Sequence, residues 1–257
     1  MLRELLRSRD LIRMLAKKDF FANYRRASFG IMWAVALPVM QALVLSLIFS
    51  RIVPVKVGVR NFPTFVYSGV LPWGFFSGTM SAGVSSIVSG SALSTRIYFP
   101  RAVFPLMTVR SNFYGFAPGI LVLVAMVFAL RVPAGTNVLL LIPAVILLIA
   151  LSAGFSLVLA ALQVYYRDVR WLMSAILIPW FYASGIFFPL QLVPHRLLPV
   201  IQANPVVGVI QMFRAATVGA DAGWQGALYA TVAWVIGLLV IAAFLYRRYD
   251  RVFADRM

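Results

Sequence analysis

The chemistry open to this chain is limited to very few side chains. It has one histidine (His195), one glutamate (Glu4) and six aspartates (Asp10, Asp19, Asp168, Asp221, Asp250 and Asp255), and it has no cysteine. Without thiols there is no disulfide, no thiolate nucleophile and no Cys-ligated metal. A hydrolytic or transfer site would need a nucleophile beside a base, or a metal held by several such groups. None of the seven acids falls inside a predicted span, and His195 sits in a Pro-His-Arg loop, where a solvated side chain is the expected reading. No catalytic residue, metal site or cofactor is therefore expected in this chain. Nucleotide chemistry is missing as well: there is no G-x-x-x-x-G-K-S/T loop and not even a Gly-Lys pair, so the nest that cradles ATP phosphates is absent. Carboxylate or histidine relays inside the bilayer, the usual devices of ion-coupled transport, are absent from the apolar stretches too. Energy would then come from elsewhere, and a separate ATPase is the natural supplier.

Cations are plentiful. The chain holds 23 Lys and Arg against seven acids, a formal net charge of +16. Arg25 and Arg26 stand side by side before the first apolar stretch, and guanidinium groups match phosphate geometry bidentately. A headgroup-receiving role and simple anchoring of the first span are both open to them.

The elements that position these residues follow from apolarity. Of the 257 residues 62% are apolar and only 12% charged, with mean hydropathy +0.92, whereas a soluble fold keeps roughly a quarter of its residues charged. Six charge-free runs, 27–50, 61–95, 111–130, 132–166, 171–194 and 222–246, each reach the ~20 residues needed to cross a ~30 Å hydrocarbon core. The expected fold is an all-α integral membrane protein with about six transmembrane helices. Run 61–95 is too long for one straight crossing and carries Pro72, so a kinked or tilted span is expected there.

Basic islands orient the chain. With the N-terminus cytoplasmic, seventeen of the 23 basic residues lie inside and six outside, which places both termini in the cytoplasm. Reading residues 197–213 as a further span would move Arg247, Arg248, Arg251 and Arg256 outside. This segment is instead expected to form short re-entrant helices in an outer segment around 195–220, before the last span. Residues 1–26 carry eight basic residues and no uninterrupted apolar core, so no cleaved signal peptide is expected. They form a cytoplasmic amphipathic helix at the membrane surface, with Leu11, Met14 and Leu15 on one side and Arg9, Arg13 and Lys17 on the other. Residues 27–257 then make a single six-span domain. Small residues at i, i+4, Ala150 with Gly154 and Ser156 with Ala160, permit close helix contact, either within the chain or between copies.

Four local motifs stand out: Tyr24-Arg25-Arg26-Ala27-Ser28-Phe29-Gly30-Ile31-Met32-Trp33 followed by Pro38; Tyr98-Phe99-Pro100-Arg101; Tyr166-Arg167-Asp168; and Asn204-Pro205 ahead of Arg214. In this order and spacing the chain resembles, nearly end to end, the transmembrane subunits of ABC exporters of lipid-linked polysaccharides, the O-antigen, capsule and teichoic-acid export family. Phe29 stands where that family more often has Leu. The cytoplasmic Glu-Ala-Ala loop of ABC importer permeases has no counterpart, since the only glutamate is Glu4. The resemblance implies a bacterial inner-membrane permease, not an enzyme, forming a homodimer with two copies of a cytoplasmic ATPase that carries the ATP and magnesium. The cargo implied is a lipid-linked glycan, most simply O-antigen-like, and no nucleic acid is implied. Alternatives are teichoic acid, capsule or a smaller amphipathic compound, and, from another class, a membrane-bound transferase.

Roles are expected for particular residues. Tyr98, Phe99, Pro100, Arg101, Arg167 and Asp168 would couple to the ATPase, Arg167 and Asp168 pairing at a tight turn. Arg25 and Arg26 would receive the carrier's anionic head. Asn204, Pro205 and Arg214 would form the outer gate. Trp73, Phe76, Trp180, Phe181 and Tyr182 would offer ring faces along which a sugar chain slides, although interfacial belts collect the same residue types.

Overall fold

In a bilayer the backbone finds no water to bond, so every crossing segment must satisfy its own N–H and C=O groups; helices do this. The computed structural model describes residues 8–24, 29–30, 32–49, 61–90, 100–130, 135–219 and 224–249, and among them every regular element is helical. In chain order these are α1 (Arg9–Tyr24), α2 (Met32–Leu47), α3 (Phe62–Val84), α4 (Ser86–Ser89), α5 (Val103–Ala129), α6 (Leu141–Tyr165), α7 (Val169–Ala183), α8 (Leu198–Gln202), α9 (Pro205–Thr217) and α10 (Trp224–Tyr249). Each of the six charge-free runs holds one principal helix: α2, α3, α5, α6, α7 and α10. Segments Val103–Ala129, Val138–Tyr165 and Trp224–Arg248 are long and apolar enough to cross a membrane. The other two apolar helices, α2 and α7, are shorter, at 16 and 15 residues, and each contains a proline, Pro38 and Pro179.

The sixth principal helix, α3, has the length to cross but a mixed composition of Gly, Ser, Thr and aromatics. It lies at the centre of the bundle, touching α2, α5, α6, α7 and α9, and sixteen of its 23 residues are buried. A central helix faces protein rather than lipid tails, so small polar residues are tolerated there. The chain stays helical through Pro72; the excess length of run 61–95 goes into a break at Ser85 and the extra turn α4.

The bundle has two distinct ends. At one, Ile87, Phe104, Leu157, Ala161 and Tyr246 form an apolar cluster, against which Leu11, Ile12 and Leu15 of α1 pack. At the other, Leu190, Val207 and Ala227 cluster with Leu198 and Ile201. Thus α4, the start of α5 and the ends of α6 and α10 share the α1 end, as alternating crossings require.

The buried stripe of α1 follows Ile12, Ala16, Asp19 and Phe20, the i, i+4, i+7, i+8 face of one helix. Ala16 and Phe20 are buried while Met14 is 65% exposed, so of the expected Leu11–Met14–Leu15 side Leu11 and Leu15 pack and Met14 does not. The buried stripe meets α5: Ser111 Oγ donates to Asp19 Oδ2 at 2.6 Å, and Phe20 meets Tyr114 edge-on at 5.7 Å. The small residues of α6 serve packing within this chain. A Cβ on Gly154 would stand 2.8 Å from Leu238 Cβ of α10, and one on Gly83 of α3 would collide with Ser156.

Candidate functional site at the far end of the bundle

The break between α8 and α9 is where polar chemistry concentrates. Asn204 begins α9 as its N-cap, accepting from Val206 N at 3.1 Å, with Pro205 in the first helical position, where its missing N–H costs nothing. The same amide reaches α7. Its Oδ1 accepts from Trp180 Nε1 at 2.9 Å, and its Nδ2 donates to Ser184 Oγ at 3.2 Å and to the Ala183 carbonyl at 3.4 Å. On the other side α10 joins in: Thr231 Oγ1 donates to the Pro205 carbonyl at 2.8 Å and Trp234 Nε1 to the Ala203 carbonyl at 3.0 Å. One short segment, 203–205, is therefore held from both flanks.

Nine residues along from Pro205, Arg214 completes the clasp. It is fully buried. Its Nη2 donates to the carbonyls of Gly185 at 2.8 Å and Ile186 at 2.7 Å, its Nη1 donates to that of Phe188 at 3.5 Å, and its guanidinium carbon lies 3.6 Å from the centre of the Phe65 ring. These carbonyls lie in the turn beyond the end of α7, where no helical N–H reaches them, so once buried they need another donor. A guanidinium is the side chain best shaped to take several of them at once, and the ring of α3 covers its remaining face. Gly185 supplies the left-handed corner (φ +63°) that turns these carbonyls inward. Arg214 thus links α9, the α7 terminus and the beginning of α3.

Four of the five expected channel aromatics meet next to this clasp. Trp73 lies edge-on to Trp180 at 6.3 Å and to Phe181 at 5.7 Å, while Phe76 lies 5.4 Å from Trp180. Such pairs prefer edge-to-face geometry. Trp73 and Phe76 are buried within the chain, whereas Tyr182 is 58% exposed at the rim of the cluster, touching Phe181 and Phe187.

The coupling candidates gather at the α1 end. Pro100 is half-buried and Arg101 buried at the start of α5, their carbonyls accepting from Val103 N and Phe104 N. Arg167 and Asp168 are exposed in the α6–α7 turn. The pairing expected between these two is not made: adjacent residues on a helical turn do not face each other. Gln163 holds the turn instead, donating Nε2 to the Arg167 carbonyl at 3.0 Å and accepting from Arg170 N at 2.8 Å. Tyr98, Phe99, Arg25 and Arg26 lie outside the described residues.

The pattern of the family described as ABC-2 type transporter matches residues 10–218, which run from α1 through α9 and include Asn204, Pro205 and Arg214. The chain belongs to this family. The chain is similar to the O-antigen export system permease protein RfbA of Myxococcus xanthus, 28% identical over 217 residues, covering 84% of this chain and 83% of the relative. The RfbA permease of Klebsiella pneumoniae is 24% identical, covering 93% of each chain. The polysialic acid transport protein KpsM of Escherichia coli is 24% identical, covering 92% of each.

As an ABC-2 transporter subunit the chain is a membrane-embedded transport component, not an enzyme, and ATP is hydrolysed on a separate chain. Within this ABC-2 subunit, sequence reasoning singled out Asn204, Pro205 and Arg214 but missed the residues that complete their site. Thr231 is the only Ser or Thr in the last charge-free run, a signal that was available. Phe65 and Ser184 carry no such mark, because each depends on a neighbour supplied by another helix.

Proposed function

We propose that this chain is the channel-forming subunit of an ATP-driven exporter that moves a lipid-linked, O-antigen-like polysaccharide across the bacterial inner membrane. The observation that carries this reading is the near end-to-end alignment with O-antigen export permeases, 93% of this chain in the Klebsiella case. The α1 end is the cytoplasmic end, a reading supported by the basic-residue asymmetry, and six spans place both termini there. The working unit is a homodimer with two copies of the ATPase, since closed two-fold pairing is the commonest way to build a wide passage from a small subunit. Pro100, Arg101, Arg167 and Asp168, with Tyr98 and Phe99, receive the ATPase's motion at that end. Arg25 and Arg26 meet the carrier's anionic head, and Asn204, Pro205 and Arg214 hold the outer gate.

Capsule export is the second reading. It is favoured by the likeness to the polysialic acid transport protein. Deleting the gene in its host separates the cases. The expected result is polymer accumulating on its lipid carrier inside the cell, with surface O-antigen lost and restored by the wild-type gene. Loss of capsule with intact O-antigen selects the second reading, and unchanged surface polysaccharide of both kinds would sink the proposal.

A further inference from the structure

From the first turn of α2 toward the middle of the bundle, α2, α3 and α5 line an open groove of about 240 Å³. Its walls are mostly apolar and aromatic, including Trp33, Phe75 and Phe116, but three polar groups also line it. Gln41 stands midway along α2, whose only other polar side chain besides the indole of Trp33 is Ser46, and its exposed amide makes no hydrogen bond among the described residues. Ala34 lies one turn before Pro38, which has no N–H to offer the Ala34 carbonyl. Asn112 donates Nδ2 to the Thr108 carbonyl at 2.9 Å, and its Oδ1 receives no N–H or O–H donor among the described residues.

Polar groups left without partners at bilayer depth cost several kcal/mol each. Among the described residues no charged side chain lines the groove, so these residues offer nothing to the charge of a phosphate or an ammonium group. The unfilled capacity is mainly for accepting hydrogen bonds, beside the half-buried Trp33 ring. The matching ligand is neutral, carries several hydroxyls and has an apolar face. We propose that this groove is a binding site for a sugar ring. The inference rests on the export reading above, and the sugar comes either from the exported lipid-linked glycan or from a glycolipid of the surrounding bilayer.

The test uses the permease with its ATPase in phosphatidylethanolamine–phosphatidylglycerol vesicles, photolabelled with a diazirine-bearing dodecyl maltoside. Label should fall on α2 and α5, and unlabelled dodecyl maltoside should compete for it while dodecanol, the same chain without sugar, should not. Gln41→Leu should cut labelling about tenfold, the order expected for losing a hydrogen-bonded contact. Ala34→Leu fills the groove while keeping the Gln41 amide, and should do the same. Among lipids, competition by the host's lipid-linked glycan identifies the cargo as the source, and competition by monoglucosyl diacylglycerol identifies the bilayer; competition by neither overturns the proposal. Equal competition by dodecanol, or unchanged labelling in both variants, also overturns it. So does ready crosslinking of Gln41→Cys chains to each other, which would mean that a second copy covers this face; the natural chain has no cysteine to confuse that result. Export by the wild-type chain is scored separately, so lost labelling with intact export removes the groove and leaves the export reading standing.

Discussion

The two ends of the bundle are built by different physics. At the far end, a buried guanidinium and a fully used amide hold α7, α9, α10 and the start of α3 through directed bonds in a low-dielectric setting. At the α1 end an apolar cluster packs the helices, joined by bonds from Gln163 at the α6–α7 turn, from Ser111 to Asp19 and from Tyr246 to the Leu157 carbonyl, while Arg167 and Asp168 stand exposed. Directed bonds fix one geometry, because a buried polar group has no alternative partner in hydrocarbon. Apolar contacts tolerate sliding, and exposed charges are free to meet another protein. A subunit that receives motion at one end and holds a barrier at the other has use for this division.

Removing Arg214 should produce the largest loss. Arg214→Leu leaves at least two close carbonyls without a donor and uncovers the Phe65 face, so destabilisation of about 3–5 kcal/mol is expected. The measurement is thermal unfolding of the detergent-solubilised complex. Arg214→Lys keeps the charge but not the planar fork, and should fall between wild type and leucine. A leucine variant as stable as wild type would show that the clasp is not what distinguishes this end.

A smaller effect comes from the approach of α9 to α10. A Cβ on Gly208 would collide with the Ala227 carbonyl and the Thr231 hydroxyl, backbone and side chain of the last helix, whereas one on Gly237 meets nothing within 4 Å. Gly208→Ala should cost about 1–3 kcal/mol through overpacking, and Gly237→Ala should be neutral or slightly stabilising. Amide exchange should show the difference at α9, with no change at α1. Equal behaviour of the two variants would argue that the far end is as compliant as the α1 end.

The smallest stability effect, and the most informative for coupling, belongs to the α6–α7 turn. Exposed charges contribute little, so Arg167→Ala and Asp168→Ala should each change stability by less than ~0.5 kcal/mol. Gln163→Leu, which deletes both bonds that shape the turn, should cost about 1–2 kcal/mol. If the turn contacts the ATPase, all three should lower export measured per assembled complex. Wild-type export from all three would remove the turn from the coupling surface and blur the contrast between the ends.

The sequence alone determined a good deal. Long charge-free runs required helices, because no other open structure satisfies its backbone in lipid, and each run indeed holds one principal helix. The start of α9 at Asn204-Pro205 is a local signal, an N-cap amide followed by proline that needs no distant partner, although the motif was not read as a helix start. The four motifs, in their order, pointed to the family that the match over residues 10–218 shows. Other features were decided only by the tertiary structure. Which face of α1 packs was settled by α5, whose Ser111 accommodates Asp19. Trp73 and Phe76 are enclosed because α7 brings Trp180 against them, and ring composition alone cannot tell an interior cluster from an exposed row. Arg214 could be placed near the outer surface from its position in the chain, but its burial depends on carbonyls 26 to 29 residues away and a ring on a third helix. A charge in a sequence carries no mark of its partner: the periodicity of a helix is written into neighbouring residues, whereas the cost of desolvating a guanidinium is met only where separate segments converge.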